Sequence, residues 1–184
     1  MSGISSNYEF VVSNEKTDKA ISDNLDQHYL FDKNILDRKM KLGEISVSVT
    51  HLRVYEDIIK NDYKLCLILE DDAILDQDFN DKLNRILSEQ INEYDFIFLS
   101  SCCGLHVPKT NGNYIFKANT SRCACGYLVN NKKIKEVINN SIPISTTIDT
   151  HLNIIKGKLS LEYGWCEPTI ITQGSENKYK SNLR

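Results

Sequence analysis

Three consecutive carboxylates, Glu70-Asp71-Asp72, close the apolar run Leu65-Cys66-Leu67-Ile68-Leu69, and apolar residues resume at Ala73-Ile74-Leu75. Adjacent acids disfavour one another's ionised form, and leaving them at the end of a hydrophobic strand without a cation is costly. A hard divalent metal with oxygen ligands relieves that repulsion. In open α/β sheets, ligands collect beyond the carboxyl ends of strands, which is where these acids fall. The chemistry indicated is metal-assisted handling of a phosphorylated ligand. A solvated acidic turn leading into a helix cap uses the same residue types and stands as the competing reading.

The elements around the acids follow from periodicity. The run before the acids reads as a strand buried on both faces, like the central strand of a parallel sheet. Upstream, Gly43 is expected to break the chain before an amphipathic helix over 44–60, with Ile45, Val49, Leu52, Tyr55, Ile58 and Ile59 on its apolar stripe. His51 lies beside that stripe, where it either faces a cleft or is a helical histidine with no role. Downstream, Asp76 or Asp78 is expected to cap a helix reaching about 90, with Phe79, Leu83, Ile86 and Leu87 inward. The acids and amides at 76, 78 and 80 do not make an EF-hand, because Asp81 replaces the required Gly and Leu87 the final Glu. A second buried strand, Asp95 to Ser100, completes strand–helix–strand, hence a parallel pair with a right-handed crossover.

The remainder reads as a loop over 101–112, strands at Tyr114 to Lys117 and Arg122 to Val129, and a helix over 131–139. A short helix follows over Ile148 to Ile155, capped near Thr147 or Asp149, then strands at Leu159 to Tyr163 and Thr169 to Thr172. Gly126 inside a strand marks a bulge or a close ligand approach. Cys102, Cys103 and His106 are not expected to hold metal, because adjacent cysteines chelate one ion poorly. Before the first helix stand a strand candidate, Tyr8 to Val12, and a polar stretch from Ser13 to Lys41 carrying one short helix at most.

Bulk properties narrow the classes. With 184 residues, the chain reads as a single domain able to bury a core without staples, residues 1–7 and 174–184 being expected as mobile tails. A net charge of -3 with interspersed signs argues against a nucleic-acid partner. Lys132, Lys133 and Lys135 read as a solvated helix face. No apolar run is long enough to span a bilayer, and no N-terminal stretch resembles a signal peptide. The six cysteines read as small core residues in a reducing compartment, which implies a cytoplasmic location.

Several segments, in order, resemble glycosyltransferase family 25, the lipooligosaccharide and procollagen galactosyltransferase group. They are Gly43-Glu44-Ile45-Ser46-Val47-Ser48-Val49-Thr50-His51, Leu67-Ile68-Leu69-Glu70-Asp71-Asp72-Ala73 and Asp95-Phe96-Ile97-Phe98-Leu99. Further along come Cys125-Gly126-Tyr127-Leu128-Val129, Ile148-Asp149-Thr150-His151-Leu152 and Glu167-Pro168-Thr169-Ile170-Ile171-Thr172-Gln173. Together these cover about 10 to 175. The resemblance implies a GT-A-like, Rossmann-like α/β fold, a mixed and mostly parallel sheet with helices on both faces. It implies transfer of a hexose, galactose or glucose, from a UDP-sugar to a glycan or protein hydroxyl, with Mn2+ or Mg2+ against the donor diphosphate.

Within that frame, strand alternation sets Glu70 and Asp72 on one side and Asp71 on the other. Asp72 is the expected direct metal ligand, with Glu70 supporting it or contacting ribose, and Asp71 satisfying backbone amides. Asp149 is the candidate general base for an inverting transfer. His151 is a candidate further metal ligand, and Gly126 a place of donor approach. Glu44 and His51 either position the donor or stabilise the helix start. Family members usually open with a strand and turn of the type Ile-x-x-Ile-Asn-Leu-Asp, whereas this chain opens at what reads as the second strand. Two expectations follow: a shortened enzyme that closes its site by homo-oligomerising, or a non-catalytic nucleotide-sugar or glycan binding module. A magnesium-dependent phosphoryl transferase would use the same acids, but no Gly-rich phosphate loop is present.

Overall fold

The protein is described here from a computed structural model, covering residues 40–89, 91–102, 104–107 and 114–177. The strand candidate Tyr8 to Val12, nearly all of the polar stretch after it, Cys103 and residues 178–184 lie outside the described residues.

Helix α1 (Leu42–Lys60) starts a little before the position predicted from Gly43. The Glu44 carboxylate accepts the Lys41 backbone N–H at 2.7 Å, which satisfies a donor the helix start would otherwise leave free and carries Gly43 into the first turn. Strand β1 (Leu65–Leu69) leads to the acids, and β2 (Ala73–Leu75) leaves them. Helix α2 (Phe79–Leu87) follows, with Asp78 at its N-cap position. Lys82 bridges Asp76 at 2.7 Å and Asp78 at 2.9 Å, so an ammonium already neutralises the acids of this loop.

The next strands are β3 (Phe96–Phe98), β4 (Ser100–Ser101), β5 (Ile115–Ala118) and β6 (Gly126–Asn130). A 3-10 turn, Asn131–Lys133, opens into α3 (Ile134–Ser141). Helix α4 (Ile148–Leu159) begins at an N-cap Thr147, runs through Gly157 and stops at Ser160, which adopts φ +49°. Strands β7 (Tyr163–Cys166) and β8 (Ile171–Gln173) and a single turn, α5 (Gly174–Asn177), complete the described chain. Residues 174–177, at the start of the expected tail, form a single helical turn.

Two mixed sheets result. The larger has the order β1-β6-β3-β7-β5, and the smaller β2-β8-β4. Among the described residues only β3–β7 and β4–β8 pair in parallel, and the other four pairings are antiparallel. The fold is thus mixed α/β, without the mostly parallel pairing expected. β1 and β3 do run in the same direction, joined through α2, but β6 is inserted antiparallel between them. That insertion overturns a second expectation. β1 is not the central strand: among the described residues it stands at the sheet edge, half-exposed, while every residue of β3 and β6 is buried.

The core divides by strand alternation. Phe96, Phe98, Tyr127, Val129 and Tyr163 pack under α1, α3 and α4, while Ile97, Leu99, Leu128 and Ile171 pack against Phe79, Leu83 and Ile86 of α2. Helices therefore cover both faces. None among the described residues is long and apolar enough to cross a membrane.

Polar ties hold the loops. Arg122, whose side chain is fully buried, pairs with Glu167, donates to the Cys166 carbonyl at 2.8 Å and lies over the Trp165 ring at 4.7 Å. Lys132 and Lys135 are exposed, as expected of a solvated face, and Lys133 is half-buried. Lys132 donates to the Asn92 carbonyl at 2.9 Å, and Lys133 to the buried Asp95 carboxylate at 3.0 Å. The cysteine expectation is revised. Cys102 and Cys123 form a disulfide with their Cα atoms 5.8 Å apart, while Cys66, Cys125 and Cys166 are free.

Gly126 is where the two sheets meet. A Cβ there would drive into the Ile171 side chain of β8, so the close approach at Gly126 is an internal packing contact. Gly126→Ala is expected to lose about 1–3 kcal/mol by overpacking. Part of that loss should return in the double variant with Ile171→Val, which lacks the Cδ1 methyl nearest the added carbon. Urea unfolding of the four chains in a double-mutant cycle checks it, and strictly additive losses would refute the contact.

Candidate active site

The site is built where β1 ends. The β1–β6 ladder runs out at Leu69 opposite Gly126, and the Glu70 N–H makes one further bond, 2.9 Å, to the Cys125 carbonyl. A tight turn follows, closed by the Ala73 N–H on the Glu70 carbonyl at 3.1 Å. This turn brings Glu70 and Asp72 together with Cys125, one donor atom from each lying within 4.8 Å of the others. Asp71, between them in sequence, is exposed.

Each of the two clustered acids is held from behind. The Glu70 carboxylate meets His51 Nε2 at 3.2 Å, and His51 Nδ1 lies 2.7 Å from the Tyr127 hydroxyl. That hydroxyl is in turn 2.8 Å from the Tyr55 hydroxyl. All three rings are buried. A carboxylate can only accept, so Nε2–H donates to Glu70; when the ring is neutral, Nδ1 accepts from Tyr127, whose oxygen can accept from Tyr55. His51 is therefore neither a cleft histidine nor idle. It is a buried strut that orients Glu70, as partners of metal-binding groups commonly do. Asp72 is fixed from the other side. Its carbonyl accepts the Gly174 N–H at 2.8 Å, its Oδ2 the Ser175 N–H at 3.1 Å, and its Oδ1 the Cys125 thiol at 3.8 Å.

Asp149 arrives from the first turn of α4. It is anchored through its neighbours: Ser121 donates its hydroxyl to the Asp149 carbonyl at 2.8 Å and its N–H to Asn153 Oδ1 at 2.5 Å. The Oδ1 atom of Asp149 is buried with no hydrogen-bond partner, while the Ala124 N–H reaches the carboxyl. Burial, reinforced by the Glu70 charge, raises its pKa from 3.8 to about 6, against the lowering influence of His51 and Ala124. The Cys125 thiol is likewise pushed up, by burial first and then by Glu70 and Asp72. Glu70, Asp72, Asp149 and Cys125 thus share one electrostatic neighbourhood.

A divalent cation fits this donor set. Two carboxylates from one turn meet a thiol from just before β6, and an orphaned carboxylate oxygen of Asp149 belongs to the same electrostatic neighbourhood. The remaining expected residues are placed elsewhere. His151 does not join the acids: two residues along a helix turn the side chain by roughly 200° from Asp149. It is buried against α1 in a cavity of about 10 Å³ with Ser48, Leu52, Ser141, Ile144 and Thr146, and burial lowers its pKa. Glu44 serves the start of α1, and Gly126 the packing of the sheets. Cys125, Tyr55, Tyr127 and Ser175 were not anticipated as parts of the site. Cys125 and Tyr127 fall in a segment already singled out, but only the β1–β6 register puts them beside Glu70.

The family model described as glycosyltransferase family 25 (LPS biosynthesis protein) matches residues 5–152, well over half of the chain. The chain belongs to glycosyltransferase family 25. The matched span takes in Glu44, His51, the acidic triplet, Cys125, Tyr127 and Asp149. No curated protein matches the chain. Membership in a family of glycosyltransferases implies two partners, a sugar donor and an acceptor.

The raised Asp149 pKa has a stability consequence. The native carboxyl holds its proton more tightly than the unfolded chain does, so stability is lost as pH climbs from about 4 to about 6. Above that window the buried charge costs about 3 kcal/mol. Asp149→Asn is expected to stabilise the protein by up to that amount near pH 7.5 and to change little near pH 4. Urea unfolding at the two pH values measures it, and equal gains at both would show that the charge is not the cause.

Proposed function

We propose that this family 25 chain transfers a hexose, galactose or glucose, from a UDP-sugar to a hydroxyl of a glycan or protein acceptor, with Mn2+ or Mg2+ as cofactor. One observation carries the reading: Asp149, a carboxylate whose pKa burial and the nearby Glu70 charge raise to about 6, lies in the electrostatic neighbourhood of the clustered Glu70 and Asp72 at the end of β1. Glu70 and Asp72 would hold the cation and thereby place the donor diphosphate. When bound, such an ion supplies positive charge against the charge that develops on the leaving diphosphate.

The chain's own residues do the rest. His51 keeps the Glu70 carboxylate aimed, and the backbone of Gly174 and Ser175 keeps Asp72 aimed. Asp149 takes the proton from the acceptor hydroxyl as its oxygen bonds to the anomeric carbon and the bond from that carbon to the diphosphate oxygen breaks. A base suits this step when its pKa lies near the working pH, and the value of about 6 meets that condition. Exposed Asp71 is left at the rim, where it can meet donor or solvent.

Calorimetric titration of UDP and UDP-hexoses, with and without Mn2+, tests the reading. Binding is expected to require the metal and to disappear in Asp72→Ala. Asp149→Asn should still bind donor while transfer or donor hydrolysis falls by about 10²–10⁴-fold. Donor binding that ignores both Mn2+ and Asp72→Ala would sink the proposal. Binding with no transfer or hydrolysis by the unaltered chain would make it a binding module instead.

A further inference from the structure

We infer that Cys125 is a metal ligand of this site, and that its sulfur makes the site prefer borderline and soft divalent cations, Zn2+, Co2+ or Cd2+, over Mg2+. The inference rests on the metal reading above and adds to it one further ligand, whose sulfur raises affinity for these cations without displacing Mn2+ or Mg2+ from that reading.

The geometry supports this from three directions. The Cys125 residue is almost fully buried, at 1% exposed, so its thiol is not a surface group that happens to lie near acids. Its sulfur approaches Asp72 Oδ1 at 3.8 Å and belongs to the cluster with Glu70 and Asp72 that spans no more than 4.8 Å. It is also fixed by backbone on both sides: the Cys125 carbonyl accepts the Glu70 N–H at 2.9 Å, and Gly126 N–H is bonded to the buried Ser100 hydroxyl at 3.2 Å. A second observation comes from a different element: Asp149 Oδ1 is buried without a partner, and Glu70 is the foremost charge acting on that carboxyl.

The other free cysteines contrast with it. Cys166 donates to the Pro168 carbonyl at 3.3 Å, and Cys66 lies partly exposed on the edge strand. Neither is grouped with carboxylates among the described residues. The chemistry of the donors then sets the preference. Oxygen ligands alone suit Mg2+, Ca2+ and Mn2+, whereas a thiolate shifts a site toward Zn2+ and other softer ions, and Co2+ stands above Mn2+ in the general order of affinity. On coordination the S–H bond breaks, the proton leaves to solvent and the S–metal bond forms. Mg2+ gains nothing from the sulfur, and Mn2+ stands between.

Cobalt reports sulfur ligation directly, through the near-ultraviolet charge-transfer absorption of a thiolate-to-Co2+ bond. Co2+ added to the full chain is expected to produce that band in the unaltered protein and in Cys66→Ser, and not in Cys125→Ser. By calorimetry, Cys125→Ser should bind Co2+ at least tenfold more weakly and Mg2+ equally well. Retained Mg2+ binding also reports that the variant has folded. Co2+ binding without the band, or with unchanged affinity in Cys125→Ser, overturns the role of Cys125 and leaves the carboxylate site standing. If the unaltered chain binds neither Co2+ nor Mg2+, the metal reading itself falls, and this inference with it.

Discussion

Glu70 and Asp149, carried by separate elements, share one electrostatic neighbourhood, and much of the structure works to keep them there. Burial and then the Glu70 charge make Asp149 harder to ionise, raising its pKa from 3.8 to about 6. A native state tolerates such a pair only if the surrounding contacts over-determine it. Here they do: His51 and two tyrosine hydroxyls brace Glu70, the Gly174–Asn177 turn braces Asp72, and Ser121 with Asn153 braces the start of α4.

The brace behind Glu70 also explains an unusual feature of the core. Tyr55 and Tyr127 are both wholly buried, and buried tyrosines need partners for their hydroxyls. A line of hydrogen bonds from Tyr55 to Glu70 meets that need and ends on a group that can only accept. The aromatic cluster of Phe96, Phe98, Tyr127 and Tyr163 around it fixes the tyrosine rings by tilted and edge contacts. Packing on one face of the sheet is thereby converted into orientation of a single carboxylate at the sheet's edge. Function and fold share the same side chains.

Opposite this rigid region stands a tied-down loop. The Cys102–Cys123 disulfide and the buried Arg122–Glu167 pair hold the approach to Ala124 and Cys125, the residues that touch Asp149 and Asp72. A buried guanidinium is stable only when every donor is engaged, and Arg122 finds carboxylate, carbonyls and the face of Trp165. The segment from 121 to 126 thus enters the site with its path already set.

Local chemistry was enough to read much of this from the residues. Apolar periodicity placed α1, β1, α2 and α4 close to where they lie; Glu70 and Asp72 do group apart from Asp71, but a turn beyond β1 and not strand alternation brings them together. Spacing along one chain cannot say which strands become neighbours, because pairing depends on contacts remote in sequence. So the insertion of β6 between β1 and β3, the edge position of β1 and the arrival of Cys125 beside the acids were decided only by the tertiary structure. The same holds for the two candidates that moved away. Helical geometry turns His151 from the acids as surely as it turns Asp149 toward them, and Gly126 makes room for Ile171, a residue of another sheet. The acids themselves were legible because like charges at a strand end demand an explanation wherever they occur. Their partners were not, because a buried tyrosine, a core cysteine and a helix histidine look alike in sequence until the fold brings them into contact.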